Sequence, residues 1–456
     1  MRLHGKALIA LVVLGLMAVA GTVTGLGFTG GFNSDKSSTA DSDLLSPAPS
    51  VIFEPTPTPF SVETRETTPA PSETAAGPTP APLSEEVEES TARDIGEPDP
   101  DFEEELRNSG ISISGWKTDF SRHSVPYAEI SSGGPSRDEI APLDDPRFTT
   151  PEKAGEWLDN QEPVISFELN GEARAYPLQI LIWHEIANDV VGGVPVTVTF
   201  CPLCNTALVF ERTLDGVVYD FGTSGNLRNS DLVMWDRQTE SWWQQFTGEA
   251  IVGELTGRKL KSLPAPIISF ADFKDAHSDG AILSRDTGFF APYGRNPYGG
   301  YDRAYNPPFL FSGALDRRLA PKDRVVDVII GDVAVVFPFN VLKQEKVVNY
   351  TVGTQDITVF CKSGTLSALD KSSIADSRDV GATGVFDTHV DGKKLAFRAE
   401  GDRFVDEETG STWNILGQAV DGPLKGQQLT PIVHTNVFWF AIAAFMPDTI
   451  IYQGEG

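Results

Sequence analysis

Thirteen residues near the middle of the chain return close to its end. GEAIVGELTGRKL (248–260) and GQAVDGPLKGQQL (417–429) share Gly, Ala, Gly, Leu, Gly and Leu in one register. The agreement extends upstream. VISFELNGEARAYPLQIL from Val164 resembles VVDVIIGDVAVVFPFNVL from Val325, and VPVTVTFCPLC resembles TQDITVFCKSG. Gly171 meets Gly331, Pro177 meets Pro338 within a residue, Cys201 meets Cys361, and Thr239, Ser241 and Trp243 meet Thr409, Ser411 and Trp413. Asp215-Gly216 meets Asp391-Gly392 once an insertion near 368–381 is allowed. Such self-similarity constrains the fold more than any single motif, because two like units bury their apolar faces against each other. It predicts an internal duplication, with repeat unit 1 at 163–280, a bridge at 281–320 and repeat unit 2 at 321–456.

Alternation and β-branched residues predict strands at Val164–Leu169, Ala173–Tyr176, Val196–Phe200, Ala207–Arg212, Val217–Phe221 and Leu232–Trp235. Asn170-Gly171 and Asp215-Gly216 are hairpin signals. Apolar spacing of three and four predicts a helix over Leu178–Val191, and Phe438–Phe445 reads as a second, buried helix. The expected class is β-rich α+β, two similar units packed with pseudo-twofold symmetry.

The first 162 residues differ in character. MRLHGK is basic, and Ala7–Phe28 is a 22-residue run without a charge. About 20 apolar residues cross a bilayer core, so 1–32 is expected to be a transmembrane anchor, or a signal peptide cleaved after Ala18-Val19-Ala20. Residues 33–105 are rich in Pro, Thr, Ser and Glu, as in PTPTPF (55–60) and TPAPSETAAGPTPAP (68–82). Without an apolar period they cannot bury enough surface to offset ordering entropy, and they read as a disordered stalk. Residues 106–162 would be an extension of the folded body. Both readings of the N-terminus place that body outside the cytoplasm, with the membrane as its partner.

With 64 acidic and 36 basic residues the net charge is −28, which excludes a nucleic-acid partner. Three cysteines exclude a disulfide-stapled scaffold and a four-cysteine zinc module.

NGEARAYPLQILIWHEIANDVVGGVPVTVTFCPLCNTALVFER (170–212) resembles the core signature of the bacterial and archaeal family catalogued as domain of unknown function 3179. SGNLRNSDLVMWDRQTESWWQQFTGEAIVG (224–253), RNPYGGYD (295–302) and FWFAIAAFMPDT (438–449) fit it as well. The resemblance covers about 110–450 and implies exported relatives, with no established reaction.

Chemistry must therefore come from the residues. Cys201-Pro202-Leu203-Cys204 follows a strand, and two thiols three apart on a tight turn can face one ion. His184, on the preceding helix, is the expected third ligand, with Met234 and Cys361 less favoured and Glu185 pointing about 100° away from His184. Thiolate and imidazole donors suit copper or zinc. An oxidising compartment would equally allow a Cys201–Cys204 disulfide, or two free buried thiols. Unit 2 has CKSG where unit 1 has CPLC, which fits a site confined to one copy. Asp231, Asp236 and Glu240 with Arg228 and Arg237 read as a solvated rim, and the tyrosines of NPYGGYD (296–302) as a buttress for the bridge. The functions in competition are an exported metal-binding protein, a non-enzymatic extracellular binding or structural module, and a thiol–disulfide oxidoreductase.

Overall fold

Asn170 and Gly171 both take left-handed backbone, with φ of 52° and 81°. That mirror-image turn matches the twist of paired strands and closes the first hairpin. A computed structural model of the protein describes residues 96–454. The expected N-terminal anchor and almost all of the stalk lie outside these residues. Among the described residues no helix is long and apolar enough to cross a membrane.

The first half opens with β1 (Pro163–Leu169) and β2 (Glu172–Pro177), which leads directly into α1 (Leu178–His184). A meander follows: β3 (Ile186–Val191), β4 (Val194–Cys201) and β5 (Thr206–Glu211). A second meander comprises β6 (Phe221–Arg228), β7 (Asp231–Asp236), β8 (Trp242–Gln244) and β9 (Glu249–Val252). The strand Ile130–Ser132 pairs with the free edge of β6. The helix Phe102–Ser109 begins inside the stretch read as linker and buries Leu106.

The second half repeats this order. β10 (Arg324–Ile330), β11 (Val333–Pro338) and α2 (Phe339–Glu345) precede β12 (Val347–Val352), β13 (Gln355–Lys362) and β14 (Ala382–Asp387). Then come β15 (Phe397–Glu400), β16 (Arg403–Asp406), β17 (Thr412–Trp413) and β18 (Ala419–Asp421) in one antiparallel sheet. Last are β19 (His434–Phe438) and α3 (Trp439–Phe445). In each half the hairpin gains an antiparallel strand on one edge and, after a seven-residue helix, a parallel strand on the other. These are Ile267–Ser269 and Ala281–Leu283 in the first half, and β19 and Ile450–Ile451 in the second.

The halves share contacts as well as order. Trp243 and Trp413 each donate their indole N–H to a buried aspartate, Asp236 and Asp406, at 2.9 Å. Thr239 and Thr409 cap those carboxylates alike, at 2.6 Å from the backbone N–H. Gly248 lies against the ring of Phe210 and Gly417 against that of Phe386, so close that a Cβ would meet the ring edge at 2.7 and 2.6 Å. One core joins the halves, with Val437, Phe438 and Trp439 packed in the cluster that holds Leu178, Phe200 and Trp243.

Two expectations need correction. The helix read over Leu178–Val191 ends at His184, because Glu185 adopts φ 60°, ψ −30° and stops it as a left-handed cap. The residues after it, with Ile186, Val190 and Val191 β-branched, pair with β4 instead. The strand read at Val217–Phe221 is a two-residue ribbon, Val217–Val218, and the longer strand begins at Phe221.

The sequence match is also off by one at Gly331 and Cys361, though not at Pro338 or Trp413. Phe200 donates its N–H to Glu185 O and Cys361 donates to Lys346 O, both at 2.8 Å. Ile186 pairs with Thr199, and Val347 with Phe360. Cys361 therefore stands in the place of Phe200, Lys362 in that of Cys201, and Thr365 in that of Cys204. In a strand such a slip sends the side chain to the opposite face, and Cys361 packs in a separate cluster with Leu342 and Val385.

Candidate functional site: a buried dithiol–carboxylate cluster beside a cavity

β4 ends at Cys201, and the chain turns through Pro202–Asn205 to pair Thr206 back with Cys201. Asn205, at φ 58°, takes the left-handed position that this turn requires. The turn buries both thiols, with Cys201 2% and Cys204 0% exposed. The second half clamps it in place. Phe438 N–H donates to Cys204 O at 2.9 Å, the Asn205 amide donates to Asn436 O at 2.8 Å, and Thr435 Oγ1 donates to Ala207 O at 3.1 Å.

Facing the thiols is the tip of the β6–β7 hairpin. Arg228 pairs with Asp231, which leaves Asn229 and Ser230 as the two turn residues, at φ 52° and 66°. Ser230 holds this left-handed conformation while fully buried, a backbone cost that glycine would avoid. Its carbonyl accepts from Cys204 Sγ at 3.4 Å and from Cys201 Sγ at 4.0 Å. The next residue, Asp231, completes a group. Cys201, Cys204 and Asp231 hold their ligand atoms within 4.8 Å of one another.

The cluster is acidic throughout. Asp231 Oδ2 accepts from Phe246 N–H at 2.9 Å and from the Gln244 amide. Among the described residues its buried Oδ1 has no partner other than the two thiols. Burial raises the Asp231 carboxyl to about 6 and lifts both thiols, Cys204 well above its ordinary value. Glu185 is raised to about 8 by burial and then by the Asp231 charge. The main charged influences on these groups are one another, an arrangement that favours a cation among them.

The expected site residues divide. The structure brings Cys201 and Cys204 together as free thiols. His184 does not join them. Its Nδ1 lies 2.7 Å from Ala141 O and its Nε2 2.7 Å from Tyr293 OH, so both ring nitrogens are engaged elsewhere. Burial lowers its pKa to about 4, as expected for a neutral core histidine. Met234 is fully buried in β7, paired with Thr223 and Trp243, and Cys361 belongs to the other half's core. Asp231 and Asp236, read from the sequence as part of a solvated rim, are both fully buried. Asp236 has a structural partner in Trp243 and Asp231 the thiols. The sequence does hold a signal for Asp231, since an Asn-Ser-Asp turn directly precedes an apolar strand.

A cavity of about 550 Å³ opens beside the cluster. Leu203 of the CPLC turn, Leu232 next to Asp231, and Glu185 line its inner wall. The bridge supplies the opposite wall through Tyr298 and Tyr301, the tyrosines of NPYGGYD, and the segment Asn306–Leu310. These tyrosines are therefore more than a buttress. Tyr301 OH accepts from Phe309 N–H at 3.2 Å, which ties the motif to that segment.

Fold and site together define a β-rich protein with a buried dithiol–carboxylate group whose neighbours Leu203, Leu232 and Glu185 line a cavity. The model of the family described as protein of unknown function (DUF3179) matches residues 137–449, and the chain belongs to that family. No curated protein and no solved structure matches it.

Proposed function

We propose that the protein binds a single metal ion, zinc above others, through Cys201, Cys204 and Asp231. The observation that carries this is the Asp231 carboxylate, fully buried, whose Oδ1 meets among the described residues no donor stronger than two buried thiols. Leaving such an oxygen unpaired costs about 1–3 kcal/mol, more for a charged group. Two thiolates with one carboxylate suit zinc, whereas copper(I) prefers an all-soft set. Three protein donors leave one of zinc's four positions for solvent or another ligand.

The comparison between halves supports the same reading. At the position of Glu185 the second half has Lys346, whose Nζ lies 2.7 Å from Gly401 O and 3.1 Å from Asp402 Oδ1 at the tip of the β15–β16 hairpin. There the protein supplies its own cation to the hairpin tip. In the first half the same place holds a carboxylate, two thiols and Asp231.

Complete burial of Cys204 and its raised pKa count against a thiol–disulfide oxidoreductase, which needs an accessible thiolate. The uncharged run Ala7–Phe28 after a basic start supports presentation outside the cytoplasm, on a membrane anchor. The shared strand order and shared contacts support descent of the two halves from one duplicated unit. The deciding experiment is elemental analysis of protein purified without added metal, wild type beside Cys204→Ser. About one equivalent of zinc in the wild type and none in the variant is expected; metal-free wild type that takes up no zinc would refute the assignment.

A further inference from the structure

We infer that the cavity beside the cluster is a binding site for a small hydrophobic amine, an apolar body carrying one ammonium group. The inference goes beyond the metal site and stands whether or not an ion binds there.

The size is right for a small organic molecule. About 550 Å³ falls within the range of ligand sites, which are mostly apolar with a few convergent polar groups. The walls here are mainly Ile140, Leu203, Leu227, Leu232, Phe309 and Leu310. Among the polar side chains that share the lining, Glu185 and Asn226 stand out. Each is more than nine-tenths buried and lines the cavity. Among the described residues nothing hydrogen-bonds the Glu185 carboxylate or the Asn226 side-chain amide, although the Asn226 backbone is paired in the sheet and its N–H donates to Ser224 Oγ at 3.0 Å. Groups so buried require partners, and here the cavity is what they face.

The sign of charge selects the ligand. Among the described residues no lysine or arginine lines the cavity. Its one ionisable carboxyl is Glu185, which lies near Asp231. A carboxylate ligand would find no counter-ion in the lining, whereas an ammonium would favour the ionised form of Glu185, pair with it and donate to Asn226. The apolar body would then replace water against the leucines.

Three probes sharing one indole separate the possibilities: tryptamine, its alcohol analogue tryptophol, and indole-3-propionate, each titrated calorimetrically into the full chain. The titrations are run on protein as purified and on protein stripped with a chelator. Tryptamine is expected to bind at least tenfold tighter than tryptophol, with no binding of the propionate, in both preparations. Glu185→Gln should abolish the preference for the amine, and Leu227→Trp, which fills the cavity from its rim, should remove binding of both amine and alcohol. Equal affinity for amine and acid, an unchanged preference in Glu185→Gln, or no binding of any probe would overturn the inference. Tryptamine binding to chelator-treated protein alongside a failed zinc assay would leave the cavity assigned and the metal site refuted.

Discussion

Glu185 and Lys346 end equivalent helices in the same left-handed backbone conformation, φ 60°, ψ −30° and φ 61°, ψ −29°, with opposite charge. The lysine binds its hairpin tip directly, and the glutamate stands where a cation is lacking. Glu185→Lys should therefore install an internal cation beside Asp231. We expect bound zinc to fall well below one equivalent and the metal-free protein to melt at a higher temperature than metal-free wild type. Full zinc loading of this variant would show that the charge at this point does not govern the site.

Ligands and neighbours should separate cleanly. Asp231→Asn keeps an oxygen for Phe246 N–H and removes only the charge, so it should weaken zinc binding at least tenfold with the fold retained. His184→Ala should leave zinc stoichiometry unchanged. It strands Ala141 O, leaves Tyr293 OH with Thr287 alone, and should cost about 1–3 kcal/mol of stability. Competition with a chromophoric chelator, together with urea unfolding, measures both. Loss of zinc in His184→Ala at full stability would return the histidine to the ligand set.

The paired Trp–Asp contacts are structural in both halves, though only one half holds the cluster. Trp413→Phe leaves Asp406 buried without its indole donor and should cost about 1–3 kcal/mol while leaving zinc content untouched. Trp243→Phe does the same to Asp236, but next to Met234 on the strand that carries Asp231, so it should disturb both stability and metal. Equal effects of the two variants on zinc would contradict this division.

Acid-side behaviour follows from Asp327. This carboxyl in β10 accepts from Thr435 N–H at 2.8 Å, and burial holds it up at about 7. Its unfolded value is near 4, so between pH 4 and 7 the folded state keeps a proton that the unfolded state has released. Stability from this residue therefore falls as pH rises through that window and is flat above it. Asp327→Asn keeps the acceptor for Thr435 and removes the titration. The melting temperature should decline less from pH 5 to pH 7.5 in the variant than in the wild type. A parallel decline in both would place the titration elsewhere.

Much of the architecture was readable because it rests on local rules. The Asn170-Gly171 turn, the alternation through β1, β4 and β5, and the apolar run after Phe438 each specify their element within a few residues. The likeness of the two halves in strand order was visible too, but its register was not. Gly331 and Cys361 attract an alignment one residue away from the one that the hydrogen bonds of Lys346 impose. The end of α1 was hidden because Glu185 is an unusual left-handed cap, where glycine would have announced it. At the site, the thiol pair showed itself by spacing alone. Asp231 lies 27 positions beyond Cys204, 231 − 204, and meets it only because two meanders pack tip to turn. His184 drew attention by nearness in sequence, but its ring is held by Ala141 and Tyr293, far along the chain on either side.

The clamp of β19 on the CPLC turn has a consequence for how the chain is made. The groups that hold Asn205 and Ala207 follow them by 228 to 231 residues. At ribosomal speeds of ~5–20 residues per second, that gap is roughly 10–50 s. Throughout that interval the first half has been synthesised with its two thiols and no strand to fix their turn. The clamped turn thus forms only once β19 has been made, and any truncation before His434 delivers both cysteines without the strand that holds them.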